Sequence, residues 1–266
     1  MLGSIKNLVR STGLRRQHVA AARMCCERHV LASVGKRRIQ ASGRILCYHS
    51  VGQEAWGVND VSARAFRQQL ELALKAGLRF VPADDIVATG GGPKDLAITF
   101  DDGTKSTITQ AAAILADYDI PWSVFVVTDW TDGGGGWPDQ TIMDWRDVER
   151  AVAAGARIGS HSVTHPNFAA ISSVQVADEL GISRRIISER VGIDAKTFAI
   201  PFGQSNNWSR VAAEAARQAG YTTIYAQAQA TRPEGTIPRT FITRFDTERV
   251  FRAALDGVFD SWEEWV

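Results

Sequence analysis

The sequence predicts an α/β fold: a distorted (β/α) barrel of about seven parallel strands, similar to a TIM barrel. Short apolar runs alternate with stretches of helical periodicity, which is typical of parallel strands joined by helical crossovers. The residues best suited to chemistry come directly after predicted strands, as in the active sites of (β/α) barrels. No glycine-rich phosphate-binding motif follows the first strand, which favours a barrel over an open nucleotide-binding sheet.

The predicted elements follow one another without internal repeats or a long linker. Predicted strands cover residues 44–50, 78–81, 96–100, 122–127, 157–161, 197–203 and 221–226, and residues 236–245 add a last extended segment. Predicted helices cover residues 62–76, 108–115, 144–154, 174–191, 209–219 and 247–255. Residues 128–137 include four consecutive glycines, which cannot hold a regular element, and therefore predict a mobile loop flanked by two tryptophans.

Composition and charge limit which classes of function the protein can have. Of the 266 residues, 45% are hydrophobic and 22% are charged, as in a globular protein with a sizeable core. The net charge of +1 gives no reason to expect a nucleic-acid partner. The three cysteines show neither a disulfide framework nor ligand spacing, which suits a reducing compartment. Because the sequence has neither a membrane-spanning apolar run nor a signal-peptide pattern, we expect a cytoplasmic protein.

Residues 1–40 are predicted to be a basic extension, helical or loose, before a main domain at residues 41–266. The extension carries nine Lys or Arg residues against one acidic residue, Glu27. It could be an amphipathic helix that makes a weak contact with an anionic membrane surface, or a helix that covers one end of the domain. The broken, alanine-rich apolar stripe favours the covering helix. The sequence leaves the oligomeric state open.

In the stretch 96–103, an apolar run is followed by two adjacent carboxylates, Asp101 and Asp102, and then by Gly103. Neighbouring residues on a strand point to opposite faces, so both carboxylates can serve one site only at the strand's end, where the backbone turns. One carboxylate would then bind a metal while the other handles protons. The alternative is an ordinary strand-ending turn, because Asp-Gly is common turn chemistry.

Two histidines extend this candidate site. His161 and His165 follow another predicted strand and, with Asp102, make a His₂-carboxylate set whose open fourth position suits a catalytic zinc. A zinc-bound water has a pKa lowered to about 7, and the metal can also polarise a carbonyl. Asp101 is then the candidate base, and His49, after the first strand, the candidate acid for the leaving group. The histidine pair alone is a weak signal of a metal site.

Three motifs, taken in order, resemble those of the polysaccharide deacetylases (NodB homology domain, carbohydrate esterase family 4). They are Thr-Phe-Asp-Asp-Gly at 99–103, His-Ser-Val-Thr-His at 161–165 and Pro-Phe-Gly at 201–203, and the resemblance covers about residues 44–260. It implies a NodB-type barrel in which Asp101 is the catalytic base and Asp102, His161 and His165 hold the metal. It also implies that the backbone N–H of Phe202 helps to hold the oxyanion.

Two departures from the family pattern point to one of its branches. Ala199 stands where most members carry an arginine thought to orient the base, and no histidine follows His165 to supply the acid. The branch that deacetylates poly-N-acetylglucosamine resembles this sequence on both points, with a circularly permuted strand order and an N-terminal Tyr-His motif. Tyr48 and His49 fit that motif, which implies that His49 is the acid.

Substrate contacts are predicted from the same motifs and from the glycine-rich loop. Met-Asp-Trp at 143–145 fits the pattern of this branch and implies that Trp145 lines the pocket for the acyl methyl, with core packing as the alternative. Tyr48 and Pro201, which lie within the matched motifs, are also predicted to contact substrate. Trp137, beside the glycines, is predicted to stack on a sugar face, with anchoring of the loop onto the domain as the alternative.

The predicted function is metal-dependent removal of N-acetyl groups from amino sugars of an oligo- or polysaccharide, of the chitin-oligosaccharide or poly-N-acetylglucosamine type. The expected cofactor is a divalent metal ion, with Zn²⁺ preferred over other divalent ions. One alternative is an amidase or esterase on a non-carbohydrate substrate, because the fold and metal are reused for cyclic amides. The other is a catalytically dead carbohydrate-binding relative. The missing arginine favours a dead relative, whereas the retained Asp101, His49 and metal set oppose it.

Overall fold

The computed structural model describes residues 16–37, 41–227 and 232–262. The strands, in chain order, are β1 (Arg44–Tyr48), β2 (Ser50–Val51), β3 (Asp60–Val61), β4 (Arg79–Phe80), β5 (Asp95–Phe100), β6 (Trp122–Val126), β7 (Arg157–Ser160), β8 (Thr197–Ala199), β9 (Thr223–Tyr225) and β10 (Thr240–Phe241). The helices are α1 (Arg16–Val34), α2 (Ala63–Lys75), α3 (Ala83–Thr89), α4 (Ala112–Ala116, after a π-helical turn at Thr107–Ala111), α5 (Thr128–Thr131), α6 (Trp145–Ala153), α7 (Ser173–Val191), α8 (Arg210–Gln218) and α9 (Glu248–Leu255). Two 3₁₀ segments lie at Glu54–Asn59 and Ser205–Asn207.

One curled sheet carries the fold. Its strand order is β10-β1-β5-β6-β7-β8-β9, with β4 pairing with β5 beside this path. The paired strands run parallel, as helical crossovers require. Strands β1 and β5 pair from Arg44 with Leu96 to Tyr48 with Phe100, so their carboxyl ends finish level. The predicted fold class, an α/β fold built as a distorted parallel barrel, is confirmed.

Residues 237–241 connect the two ends of this strand order. The backbone N–H of Ile237 donates to the carbonyl of Ile224 within β9, and the carbonyl of Ile237 accepts from the N–H of Ala226. A few residues later β10 pairs with β1. Because the same short segment bonds to β9 and then to β1, the curled sheet is bridged into a barrel-like shape.

Polar caps fix where several helices begin. Ser62 and Ser209 cap α2 and α8 by accepting a hydrogen bond from a backbone N–H in the first turn. Asp144 and Ser172 begin α6 and α7 with complete capping boxes. The helices after residue 60 that were predicted from periodicity therefore agree with the structure to within one or two residues.

Two predicted segments differ from the structure. The predicted loop 128–137 begins with the helical turn α5, in which the N–H of Asp132 donates to the carbonyl of Thr128. Within its glycine run, a Cβ at Gly135 would lie only 2.4 Å from the Trp130 ring, so the loop packs closely on this tryptophan. The strand predicted at 197–203 ends at Ala199, and a turn follows at Pro201 and Phe202, where Phe202 has a left-handed φ of 64°.

Helix α1 lies against the C-terminal part of the chain. Arg28 is fully buried, and its guanidinium donates to both carboxylate oxygens of Asp246 at 2.7 and 2.6 Å. The same guanidinium lies 4.4 Å from the centre of the Phe259 ring. Val19 and Val30 face outward, each more than half exposed. One face of the basic extension is therefore packed against the barrel.

Part of the predicted extension, residues 1–15 and 38–40, lies outside the described residues. Among those described, no helix combines the length and apolarity that crossing a bilayer requires.

Candidate active site

The paired carboxylates lie at the carboxyl end of β5, at the mouth of the barrel. The N–H of Asp101 still bonds to the carbonyl of Tyr48 at 2.9 Å, which continues the β1–β5 ladder by one residue. Asp102 then adopts a left-handed φ of 68°, and Gly103 follows with a φ of 66°. This turn brings both buried carboxylates to one side of the strand's end, as the sequence predicts.

The two histidines approach the same carboxylate from the loop after β7. The Nε2 atoms of His161 and His165 lie 3.5 and 3.6 Å from Oδ1 of Asp102. Nδ1 of His161 is 2.8 Å from the carbonyl oxygen of Ala199, so this nitrogen donates and Nε2 is the atom left to face Asp102 or a metal. The loop reaches this shape through a left-handed φ of 60° at His165, and the N–H of His165 is bonded to Oγ of Ser162 at 2.9 Å.

These three side chains fit a divalent metal. One ligand atom from each of Asp102, His161 and His165 lies within 4.8 Å of the others. Oδ1 of Asp102 is buried and accepts no hydrogen bond among the described residues, which is unusual for a carboxylate unless a cation completes its environment. Burial, followed by the charge of His161, lowers the pKa of His165 to about 4, so its imidazole is neutral and able to bind a metal.

An arginine that the sequence reasoning missed holds the candidate base. Nη1 and Nη2 of Arg239 donate to Oδ1 and Oδ2 of Asp101, both at 2.6 Å, in a buried bidentate pair. Burial alone would raise the pKa of Asp101, but the charge and hydrogen bonds of Arg239, together with the charges of His161 and His49, outweigh burial and hold that pKa well below its usual range. Asp101 is therefore ionised at neutral pH. The available signal was a pair of arginines, Arg239 and Arg244, inside the otherwise largely apolar segment 236–245.

His49 also lies beside the paired carboxylates. Its Nε2 is 4.0 Å from Oδ2 of Asp102, and its ring packs edge-on against Phe241 with centroids 5.3 Å apart. Burial lowers the pKa of His49, with Asp102 opposing this effect. The structure thus brings together the five residues predicted for metal and proton chemistry, Asp101, Asp102, His49, His161 and His165.

Cys47 also reaches this centre, although the cysteine spacing gave no sign of it. The buried Cys47 thiol donates to Oδ2 of Asp101 at 3.3 Å. Cys47 pairs with Thr99 in the β1–β5 register, two residues before His49 and Asp101. The thiol is therefore placed by strand register, which a sequence without its strand pairing does not reveal.

A cavity of about 270 Å³ opens onto two of the candidate metal ligands, Asp102 and His165. Its lining combines aromatic rings, amides and the candidate catalytic groups, namely His49, Trp56, Asn59, Asp102, Trp130, Trp137, His165, Phe202, Gln204, Gln227 and Phe241. Trp137 stacks on Trp56 with ring centroids 4.7 Å apart, so the two indoles form an aromatic wall of this cavity. Such a mixed lining suits a sugar, which has apolar ring faces and many hydroxyls.

The predicted substrate residues divide between this cavity and the core. Phe202 and Trp137 line it, and Phe202 has a left-handed φ of 64° directly after the buried Pro201. Tyr48 does not line the cavity, because its side chain is fully buried. Its hydroxyl donates to Oε1 of Gln69 at 2.9 Å.

Trp145 and Pro201 are also not among the lining residues. The Trp145 indole instead donates to Asp132 at 2.7 Å and packs against the main apolar core. The alternative of core packing therefore describes Trp145 better than a place beside the acyl methyl.

Comparison with known proteins agrees with this geometry. The family profile described as polysaccharide deacetylase matches residues 89–224. The chitooligosaccharide deacetylase of Rhizobium leguminosarum bv. trifolii is 31% identical over 108 residues, which are 40% of this chain and 44% of that protein. The chain matches less than half the length of the curated relatives compared with it.

Two solved structures show the same fold. IcaB from Ammonifex degensii has a TM-score of 0.68 at 22% identity and covers 83% of this chain and 100% of its own. The Streptococcus pyogenes deacetylase PplD, in complex with acetate, has a TM-score of 0.67 at 19% identity, with 83% and 99% covered.

Proposed function

Because the chain belongs to the polysaccharide deacetylase family, we propose that it hydrolyses N-acetyl groups from amino sugars of an oligo- or polysaccharide. The proposed substrates are of the chitin-oligosaccharide or poly-N-acetylglucosamine type. One observation carries this proposal: an ionised carboxylate, Asp101, is held by Arg239 directly beside a three-residue metal-ligand set. A binding module would have no use for a buried charged base at this position.

Asp102, His161 and His165 are proposed to hold the metal, with Zn²⁺ preferred because two imidazoles and one carboxylate form a common catalytic zinc set. When bound, a divalent cation lowers the pKa of a water and polarises the acyl carbonyl.

The remaining residues handle protons and charge in the proposed reaction. Asp101 accepts a proton from the attacking water, and Arg239 keeps its carboxylate ionised and oriented. The backbone N–H of Phe202 donates a hydrogen bond to the oxygen that becomes negative. Protonated His49 then donates its proton to the leaving amine nitrogen. The lowered pKa of His49 makes its protonated form a stronger acid.

Arg239 supplies the guanidinium that most family members carry at the position of Ala199. The guanidinium comes from the segment before β10 instead of from β8, while the carbonyl of Ala199 accepts from His161. The absence of an arginine at residue 199 therefore does not argue for a dead relative. We also propose that residues 41–266 form the catalytic domain and that α1 is a structural cover packed onto it.

Substitution of the base tests the proposal. Asp101→Asn should leave the bound metal unchanged and reduce acetate release from chito-oligosaccharides by about 10²–10⁴-fold, the usual contribution of a general base. The exposed Asp117→Asn, which also breaks an arginine pair, serves as the control and should retain activity. Undiminished turnover by Asp101→Asn would refute the role of the base. Sugar binding by the wild type without chelator-sensitive acetate release would favour a binding relative, and release from non-carbohydrate amides alone would favour an amidase.

A further inference from the structure

A second set of metal-binding groups lies beside the first and shares none of its side chains. Cys47 and His49 are two residues apart at the end of β1, so their side chains leave the same face of the strand. The β1–β5 ladder places Asp101 level with this pair. One ligand atom from each of Cys47, His49 and Asp101 lies within 4.8 Å of the others.

These groups are enclosed and partly unpartnered. Cys47 is 2% exposed and Asp101 is 4% exposed. His49 lines the cavity, so the cluster is reached from the cavity at His49. Nδ1 of His49 is buried without a hydrogen-bond partner among the described residues. The Cys47 thiol already points at Oδ2 of Asp101, at 3.3 Å. The cluster therefore has a donor set and an approach route, and only its thiol proton must leave.

The Arg239 pair does not block this cluster. A carboxylate has about four lone-pair positions, and the guanidinium uses one on each oxygen of Asp101. Oδ2 can therefore accept from Arg239 and still contact a cation, with Arg239 acting as an outer partner of the ligand.

We propose that Cys47, His49 and Asp101 form a second, inhibitory site for a thiophilic divalent cation such as Cd²⁺ or excess Zn²⁺. Thiolate, imidazole and carboxylate together suit such soft or borderline cations better than Mg²⁺ or Ca²⁺. On binding, the cation–sulfur bond replaces the S–H bond, and the thiol proton is released to solvent water. The site is weaker than the first one, because Oδ2 of Asp101 lies 3.9 Å from Nε2 of the metal ligand His161 and the two cations repel each other.

Occupation of this site removes both proton-handling groups at once, a consequence that rests on the proposed deacetylase function. Asp101 could no longer accept a proton and His49 could no longer donate one. Because general acid–base catalysis is worth about 10²–10⁴-fold, the doubly loaded enzyme should lose at least about 10²-fold in acetate release. Activity should therefore rise with the first equivalent of metal and fall with excess.

The experiment measures binding first, so that it does not depend on activity. Full-length Cys25→Ser/Cys26→Ser protein keeps Cys47 as its single thiol. It is titrated with Cd²⁺ after zinc loading, and metal content is determined by equilibrium dialysis together with the near-ultraviolet thiolate–cadmium absorption. We expect about two cations per chain and the thiolate band. Two further variants are made separately in this protein, Cys47→Ser and His49→Gln. Each should bind about one cation per chain and lack the thiolate–cadmium band. Thermal unfolding checks that both variants fold.

Retention of the band or of the second equivalent in a folded Cys47→Ser protein would overturn the proposal, as would a titration of the parent that ends at one cation. A second measurement compares the rates of acetate release with and without excess Cd²⁺ in the parent and in Cys47→Ser. In Cys47→Ser the ratio of these two rates should approach one. If neither protein releases acetate, the deacetylase proposal fails while the binding result still decides the second site.

Discussion

Substitution of Arg239 tests whether the relocated arginine controls the base. Its guanidinium makes two hydrogen bonds of 2.6 Å to Asp101, and both side chains are at least 95% buried. Hydrogen bonds to charged groups are worth about 1.5–3 kcal/mol each. Arg239→Met removes both, a loss of at least about 3 kcal/mol. Since each ~1.36 kcal/mol corresponds to tenfold in rate, kcat/KM should fall by about 10²-fold.

Arg239→Lys separates charge from geometry. A lysine keeps the positive charge but makes only one of the two bonds, so about half of the stabilisation should remain and kcat/KM should fall by about tenfold. Without any cation beside it, the buried Asp101 should also have a raised pKa in Arg239→Met. The acidic limb of the rate profile should therefore move to higher pH in Arg239→Met and much less in Arg239→Lys.

The assay is acetate release from chito-oligosaccharides across a pH range, with metal content measured on the same samples. Arg79→Met is the matched control, because Arg79 also bonds twice to an aspartate but lies at the surface, 73% exposed. It should retain wild-type kinetics. Equal kcat/KM for wild type and Arg239→Met would refute the reasoning. Loss of bound metal in Arg239→Met would show instead that the arginine supports the ligand set.

Three further predictions concern stability and substrate. Arg28→Ala leaves a buried aspartate unpaired and should lower the free energy of unfolding by about 3–5 kcal/mol in denaturant titration, whereas the exposed pair broken by Arg37→Ala should cost under about 1 kcal/mol. Gly159→Ala should destabilise by about 1–3 kcal/mol, because its Cβ would lie 2.4 Å from a buried phenylalanine ring, while Gly181→Ala, in open helix surface, should stabilise by about 0.5–1 kcal/mol in the same measurement. Trp137→Ala removes a stacking surface worth about 1 kcal/mol. It should therefore raise KM for chito-oligosaccharides about fivefold with kcat unchanged, and a fall in kcat alone would contradict this role.

Local patterns were sufficient for the parts of this protein that local physics determines. Helix bounds followed from apolar periodicity and from caps such as Asp144, both of which act within one turn. The convergence of Asp102 and His161 followed from a general property of parallel sheets, whose strands end at a common edge. The closeness of these candidate metal ligands could therefore be predicted without knowing the order of the strands.

The residues that escaped prediction depend on strand order and register. Arg239 meets Asp101 across 138 residues, and Cys47 meets it across 54, through pairings that no local pattern encodes. Tyr48 and Trp145 lie beside motifs along the chain, and their contacts also depend on how their elements are turned. The ring of Tyr48 is buried with its hydroxyl on Gln69, and the partly buried Trp145 packs on the edge of the core with its indole N–H on Asp132.

The bridging segment 237–241 also sets the order in which the molecule can be completed. The first strand of the sheet, β1, acquires its neighbour β10 only after nearly two hundred residues have been added, and Arg28 finds Asp246 across 218 positions. Such distant pairings carry a large loop-closure cost before they contribute stability, so the barrel should assemble late and slowly. During synthesis on the ribosome, the carboxylate of Asp101 would exist without its guanidinium partner until another 138 residues have been added.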